Sequence, residues 1–392
     1  MSKKNVLYGV SNFGGDMGGH LRSLKSILQE MAAENKVNIY LVLFSLKTPK
    51  EGTYSFPTPH FHIVSNNLSG LRSVRRMRKD LHHLFAQQPF DIIHAFDSNA
   101  YYFLKSLSDK RKVPIVLTKC GGNPAPKWKY PSCKHMTLFS VEDLVNFKSQ
   151  ARFQQSNFHL IPNRVKAPVQ DQALIAQLKA KYNGGFDFLR ISRFARLHEH
   201  SLMQSVDLVK YLRAQGIHKR LLILGGVEDE EVYNKVKASL EDGMFLETEE
   251  AFCKEASKII EVADIVIGSG RGLMEAAALG KVLLAPNKNL NLPVLVEEKS
   301  FDNLFHHNFS GRTKFDAQYA AENERNLVAL ASGKDKERFA GFSRQMFADH
   351  FDIKNGIPKY LSVYDSAAYE RQPDLIGSMA HAIVITKRFL KK

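Results

Sequence analysis

The sequence predicts an α/β protein built from two facing Rossmann-like domains, each a parallel sheet with helices on both faces. Three observations predict it. Short apolar runs alternate with longer helix-periodic stretches in both halves of the chain. Glycine-rich turns connect a strand to a helix at Gly14–His20 and again at Gly268–Gly272. The length, 392 residues, exceeds what one hydrophobic core usually holds, so two domains are expected.

In the first half, Val6–Val10, Ile39–Phe44, Ile92–His94 and Ile115–Thr118 are short and apolar, and read as strands. Leu21–Ala33 and Leu68–Phe85 carry apolar residues three and four apart and read as helices. The second half repeats the scheme. Phe188–Ile191, Leu221–Leu224, Ile265–Gly268 and Val282–Ala285 are its strands. Ser201–Ala214, Glu230–Leu240, Gly272–Leu279 and Lys334–His350 are the helices expected around them. Ile161-Pro162-Asn163-Arg164-Val165, with Pro168 after it, marks the crossover, because proline holds the preceding residue extended. The expected domains are therefore 1–165 and 166–365, with about 366–392 packing back on the first.

The composition, 44% hydrophobic and 24% charged, is that of a globular protein and excludes disordered and fibrous classes. The formal net charge is +15. Residues 1–165 hold 23 of the 55 basic residues but only 10 of the 40 acidic ones, so the positive field belongs to the first half. A polyanionic partner follows: a nucleic acid, an anionic membrane face or a phosphorylated substrate. Three cysteines without CxxC spacing argue against a disulfide scaffold or zinc ribbon. The start, Met1-Ser-Lys-Lys-Asn, does not read as a signal peptide, and no apolar run reaches the length that spans a bilayer. A cytoplasmic location is expected.

Three glycine- or arginine-rich segments carry the chemistry. Gly14-Gly15-Asp16-Met17-Gly18-Gly19-His20 opens a helix, where glycines admit a close ligand and free amides favour an anion. Its alternative is a plain strand-to-helix turn, in which His20 merely packs. Ala263–Ile267 followed by Gly268-Ser269-Gly270-Arg271-Gly272-Leu273-Met274-Glu275 is a strand, a glycine loop and a helix in the order of a phosphate site. There Arg271 adds a fixed charge, and Glu275, one turn in, suits a ribose. Its alternative is an ordinary crossover with Glu275 on a solvated helix face. Arg190-Ile191-Ser192-Arg193-Phe194-Ala195-Arg196-Leu197-His198-Glu199-His200 ends a strand, and its guanidinium forks suit a diphosphate; a solvated basic loop is the alternative.

These segments, in this order, resemble the retaining GT-B glycosyltransferases of family 4. Gly15, Gly19 and His20, Asp91-Ile92-Ile93-His94, Ile161-Pro162-Asn163 and Ser192-Arg193-Phe194 are the first matching pieces. Leu221-Leu222-Ile223-Leu224-Gly225 and Gly272-Leu273-Met274-Glu275-Ala276-Ala277-Ala278-Leu279-Gly280 follow, and the likeness spans roughly residues 6–365. The resemblance implies transfer of a sugar from a nucleotide diphosphate-sugar, UDP-sugar by family frequency and GDP-sugar otherwise, with retention and without a metal or other cofactor. It implies donor binding by Gly15, Gly18, Gly19, Arg193, Arg196, His198, Gly268, Ser269, Gly270, Arg271, Gly272, Leu273 and Glu275. Arg193 would neutralise the diphosphate and Glu275 would hold the ribose hydroxyls. Three departures stand out. Ile267 occupies the place of the family's first paired glutamate, leaving phosphate contact to Arg271. His198 stands where the family has lysine, so Arg196 or His198 substitutes. The family's first-domain histidine falls near Cys120, which turns attention to Lys119 and Asn123, alongside His20 and Arg193, as catalytic candidates.

Residues 68–85 form a basic amphipathic pattern with Arg72, Arg75, Arg76, Arg78 and Lys79. Such helices commonly lie on anionic lipid; a helix packed by its apolar stripe with a solvated charged face is the alternative. Lys127, Trp128 and Lys129 add to the same half, and Lys387–Lys392 forms a basic tail. Together they predict a peripheral protein at the inner membrane face acting on a lipid-linked or polysaccharide acceptor. The histidine pairs His82-His83, His198 with His200, and His306-His307 lack supporting ligands at recognised spacing, so no metal is expected. Two other readings compete: a nucleotide-sugar epimerase of the same fold, and a nucleic-acid-binding or -modifying protein. The latter ranks last for want of a helix-turn-helix, RNP or zinc-finger pattern.

Overall fold

The computed structural model describes residues 3–13, 18–45, 54–65, 70–121 and 130–371, with 374, 377–379, 381 and 383 beyond them. Two compact units divide the chain: Met1–Arg164 with Ile353–Lys392, and Val165–Asp352.

The first unit contains β1 (Lys4–Asn12), α1 (Gly19–Ala33), β2 (Val37–Ser45), β3 (Phe61–Ser65), α2 (Gly70–Leu84) and β4 (Ile92–Ala95). It continues with α3 (Ser98–Arg111), β5 (Ile115–Lys119), β6 (His135–Leu138), α4 (Val141–Lys148) and β7 (Asn157–Leu160). The strands form one parallel sheet in the order β3-β2-β1-β4-β5-β6-β7. Alternate side chains of β1 point to opposite faces. Val6, Tyr8 and Val10 pack with Leu21, Leu24 and Leu28 of α1, whereas Leu7 packs with Met77 and Leu81 of α2 and Leu104 of α3. Burial on both faces explains why these strands read as apolar runs rather than as alternation.

The second unit contains α5 (Gln172–Lys181), β8 (Phe186–Ile191), α6 (Glu199–Ala214), β9 (Leu221–Leu224), α7 (Glu230–Ser239) and β10 (Met244–Glu247). Next come α8 (Glu250–Cys253), β11 (Ala263–Ile267), α9 (Gly270–Ala278), β12 (Val282–Ala285), β13 (Val294–Leu295), α10 (Glu298–His306), α11 (Ala317–Ala331) and α12 (Lys336–Met346). The sheet order is β10-β9-β8-β11-β12-β13. Its first five strands are parallel, but β13 runs antiparallel to β12. This corrects the expectation of a wholly parallel sheet. Only residues 286–293 join β12 to β13, too few for the crossover a parallel neighbour needs.

The last described helix, α13 (Ile357–Ser366), belongs to the first unit. Ile353, Ile357, Tyr360, Val363 and Tyr364 join the core on the α1 face of the first sheet. The chain therefore returns at Ile353, thirteen residues earlier than the expected 366. The sequence boundary ignored the apolar spacing of this helix, which only the first sheet buries.

Candidate functional site

In the second unit, β8 and β11 are the strands at which the order reverses, with β9 and β10 on one side and β12 on the other. Open α/β sheets bind ligands outside the carboxyl ends of strands at such a reversal. Arg190 of β8 stands opposite Ile267 of β11 in register. The two loops of this unit predicted to bind the donor leave the sheet after Ile191 and Ile267.

After β11, the Gly268 amide donates to the Leu284 carbonyl at 2.9 Å. Ser269 is extended at the N-cap of α9, and its hydroxyl does not cap the helix. Gly270 follows at φ +52°, a left-handed conformation that favours glycine. The first-turn amides of α9 are thus not satisfied by a side-chain cap, the arrangement that favours an anion. Arg271 Nε lies 2.8 Å from Glu275 Oε1 one turn along, with both side chains mostly buried. Leu273, expected among the donor-binding residues, has its side chain fully buried in the core. Its side chain anchors the helix; only its backbone is left for a ligand.

After β8, the Ser192 amide donates to the Leu224 carbonyl at 3.0 Å, and the Phe194 amide to the Gly226 carbonyl at 2.9 Å. A Cβ on Gly225 would lie 1.9 Å from the Ser192 carbonyl oxygen, so this close strand approach requires glycine. Arg193 and Arg196 both project into solvent, and acidic residues after β9 hold each of them. Arg193 Nη1 pairs with Glu228. Arg196 Nε donates to Asp229 Oδ2 at 2.8 Å, and its Nη2 pairs with Glu231. Asp229 also accepts from the Glu231 and Val232 amides as the N-cap of α7, and its carboxyl is held below the usual range chiefly by Arg196. Arg196, expected among the donor-binding residues, is thus paired with the residue that caps α7. Among the described residues the Arg193 side chain is held only by Glu228, itself exposed. Sequence reasoning overlooked Glu228, Asp229 and Glu231, which meet the arginine-bearing loop only once β8 and β9 have paired. His198 is half-buried, and burial, then Arg190 and Arg193, push its imidazole below its ordinary value.

In the first unit the strand order reverses between β1 and β4. Asp97, just past β4, accepts from the Ser11 amide at 2.6 Å and from the Ser11 hydroxyl at 2.8 Å. It also caps α3 through the Asn99 and Ala100 amides. The sequence reading passed over Asp97, although an aspartate between a strand and a helix is a capping signal. Gly18 is extended before α1, Gly19 begins it, and His20 Nε2 lies 3.0 Å from the Ser11 carbonyl oxygen. Gly15, Asn123, Lys127, Trp128 and Lys129 lie outside the described residues. Lys119, expected to help position the sugar, donates to the Cys120 carbonyl at 2.7 Å and pairs with Asp143 at 3.4 Å. Asp143 is fully buried, and burial raises its carboxyl above the usual range. Lys119 is committed to the fold.

The basic helix α2 is packed in part against the fold. Met77 and Leu81 are buried against the sheet, so this part of its apolar stripe is core rather than a lipid-facing surface. Arg78 turns inward and donates to the Tyr102 carbonyl at 2.9 Å. Arg75, Arg76 and Lys79 remain exposed, Arg76 within 3.8 Å of Asp80, and the Arg72 side chain lies outside the described residues. Among the described residues no helix is long and apolar enough to cross a membrane, and no three His, Cys, Asp or Glu side chains gather as metal ligands.

No protein-family model and no curated protein matches the chain. Solved structures do. A glycosyltransferase from Rickettsia africae superposes with a TM-score of 0.65 at 14% identity, covering 93% of this chain and 98% of that one. The fold is that of the GT-B glycosyltransferases. Another GT-B match is HepE of Anabaena in complex with UDP-glucose, at a TM-score of 0.62 and 13% identity, covering 92% of this chain and 99% of that one. Sucrose-phosphate synthase of Thermosynechococcus elongatus matches at a TM-score of 0.62 and 13% identity, covering 92% and 98%. At these identities the GT-B likeness is one of fold.

Proposed function

We propose that this chain is a retaining, metal-independent glycosyltransferase of family 4 that uses a nucleotide diphosphate-sugar, UDP-sugar above all. Its acceptor is a lipid-linked or polysaccharide chain at the cytoplasmic membrane face. One observation carries the reading: at the β8/β11 reversal, the glycine loop and uncapped start of α9 adjoin the arginine-bearing loop after β8. The UDP-glucose complex of a protein with this fold supports the choice of donor.

The chemistry follows from the residues. The acceptor hydroxyl oxygen forms a bond to the anomeric carbon as the bond from that carbon to the diphosphate breaks. The electron pair stays on the diphosphate oxygen, and the hydroxyl proton passes to it. Negative charge thus develops on the diphosphate, where α9 amides, Arg193 and Arg271 are set in advance to receive it. Glu275, held by Arg271, takes the ribose hydroxyls.

Calorimetric titration with UDP and UDP-glucose tests this. Wild type should bind both, and Glu275→Ala and Arg193→Ala should each weaken binding about tenfold or more, the loss of one charge-assisted contact. No nucleotide binding by wild type, or binding unchanged in both variants, would refute the reading.

A further inference from the structure

Arg190 is among the largest side chains fully buried in this protein. Its Nη2 donates to the Ser201 hydroxyl at 2.8 Å and its Nη1 to the Ile267 carbonyl at 3.3 Å. Its Nε has no partner, and no carboxylate among the described residues pairs with it. A buried cation ordinarily has a counter-charge, because leaving one unpaired in a low-dielectric interior is strongly unfavourable. Among the described residues its partners are neutral.

The location gives this imbalance a use. Ile267, whose carbonyl Arg190 grips, is the last residue of β11, and α9 begins three residues later. Ser201, gripped from the other side, donates in turn to the His198 carbonyl. The guanidinium therefore sits at the base of both loops that flank the candidate anion site.

We propose that Arg190 is the fixed positive charge of the donor site: its missing counter-ion is the diphosphate of the bound nucleotide, and it sets the site's preference for the more highly charged ligand. This rests on the donor reading above. Arg190 acts across space as a positioning residue and does not touch the ligand. UDP carries about three negative charges near neutral pH, UDP-glucose about two and uridine none. Its contribution to affinity therefore grows along uridine, UDP-glucose and UDP, and favours the departing diphosphate over the intact donor.

The test titrates these three ligands into the full chain as wild type, Arg190→Met and Arg190→Lys. Arg190→Met should leave uridine affinity within about twofold, weaken UDP-glucose about tenfold and UDP about thirtyfold, and Arg190→Lys should recover most of the loss. An equal loss for all three ligands, uridine included, overturns the proposal, because that is what a merely structural prop would give. Wild type that binds neither UDP nor UDP-glucose overturns the donor reading instead. Should Arg190→Met fail to fold, Arg190→Gln takes its place, keeping donors for Ser201 and Ile267 without the charge, and it should show the same graded loss from uridine to UDP; an equal loss for all three ligands contradicts the proposal.

Discussion

Arg193 and Glu228 form an exposed ion pair at the carboxyl end of the second sheet, one partner from the loop after β8 and the other from the loop after β9. On the proposed donor reading, the pair occupies the guanidinium that the diphosphate would take. Exposed pairs are weak, so a ligand displaces this one readily. Glu228→Gln should therefore tighten UDP binding by about two- to fivefold at low salt, with the gain shrinking as salt rises. Weaker binding in the variant would show that Glu228 supports the site rather than competing with the ligand.

Gly225 gives a structural test of the same loop. A Cβ there meets the Ser192 carbonyl oxygen at 1.9 Å, a backbone atom that cannot swing aside. Gly225→Ala should lower stability by about 1–3 kcal/mol through overpacking. It should also displace Arg193 and reduce UDP affinity. A thermal melt with a UDP titration checks both, and unchanged affinity in a destabilised variant would separate the Ser192–Arg193 loop from binding.

The His94 imidazole is buried between the Tyr364 and Thr118 hydroxyls, 2.7 Å from each. Burial pushes it down from 6.5 to about 3. The unfolded chain takes up this proton near pH 6.5, whereas the folded chain refuses it until about pH 3. The stability contributed by the neutral ring is thus complete above pH 6.5 and is lost progressively as pH falls toward 3. Urea unfolding across this range should show a slope about one proton shallower in His94→Asn than in wild type. Matching slopes would contradict the assignment.

Met77 and Leu81 of α2 face the core and Arg78 turns inward, so among the described residues of this helix the cations left to meet an anionic membrane are Arg75, Arg76 and Lys79. Reversing Arg75, Arg76 and Lys79 to Glu should abolish binding to vesicles rich in anionic lipid and leave UDP affinity unchanged. Retained vesicle binding would move the contact away from this face.

Much of the fold was legible because buried parallel strands announce themselves as apolar runs; Leu221–Leu224 and Val282–Ala285 have the same limits in sequence and structure. Helix α13 was misassigned because its apolar residues match a sheet distant in sequence, and β13 was missed because two residues carry no period. At the candidate site, glycine spacing picked out the start of α9. The partners of the charged residues were not legible. Nothing local ties Lys119 to Asp143, Arg196 to Asp229 or Arg78 to Tyr102, since each pair meets only after separate elements have packed.

On the proposed reading, the second unit grips a nucleotide diphosphate where β8 and β11 diverge. A crystal of the chain soaked with UDP measures this most directly. The account predicts the diphosphate against the Gly268–Arg271 amides, with the ribose hydroxyls on Glu275. UDP seated elsewhere, or a site that stays empty at saturating nucleotide, would contradict it.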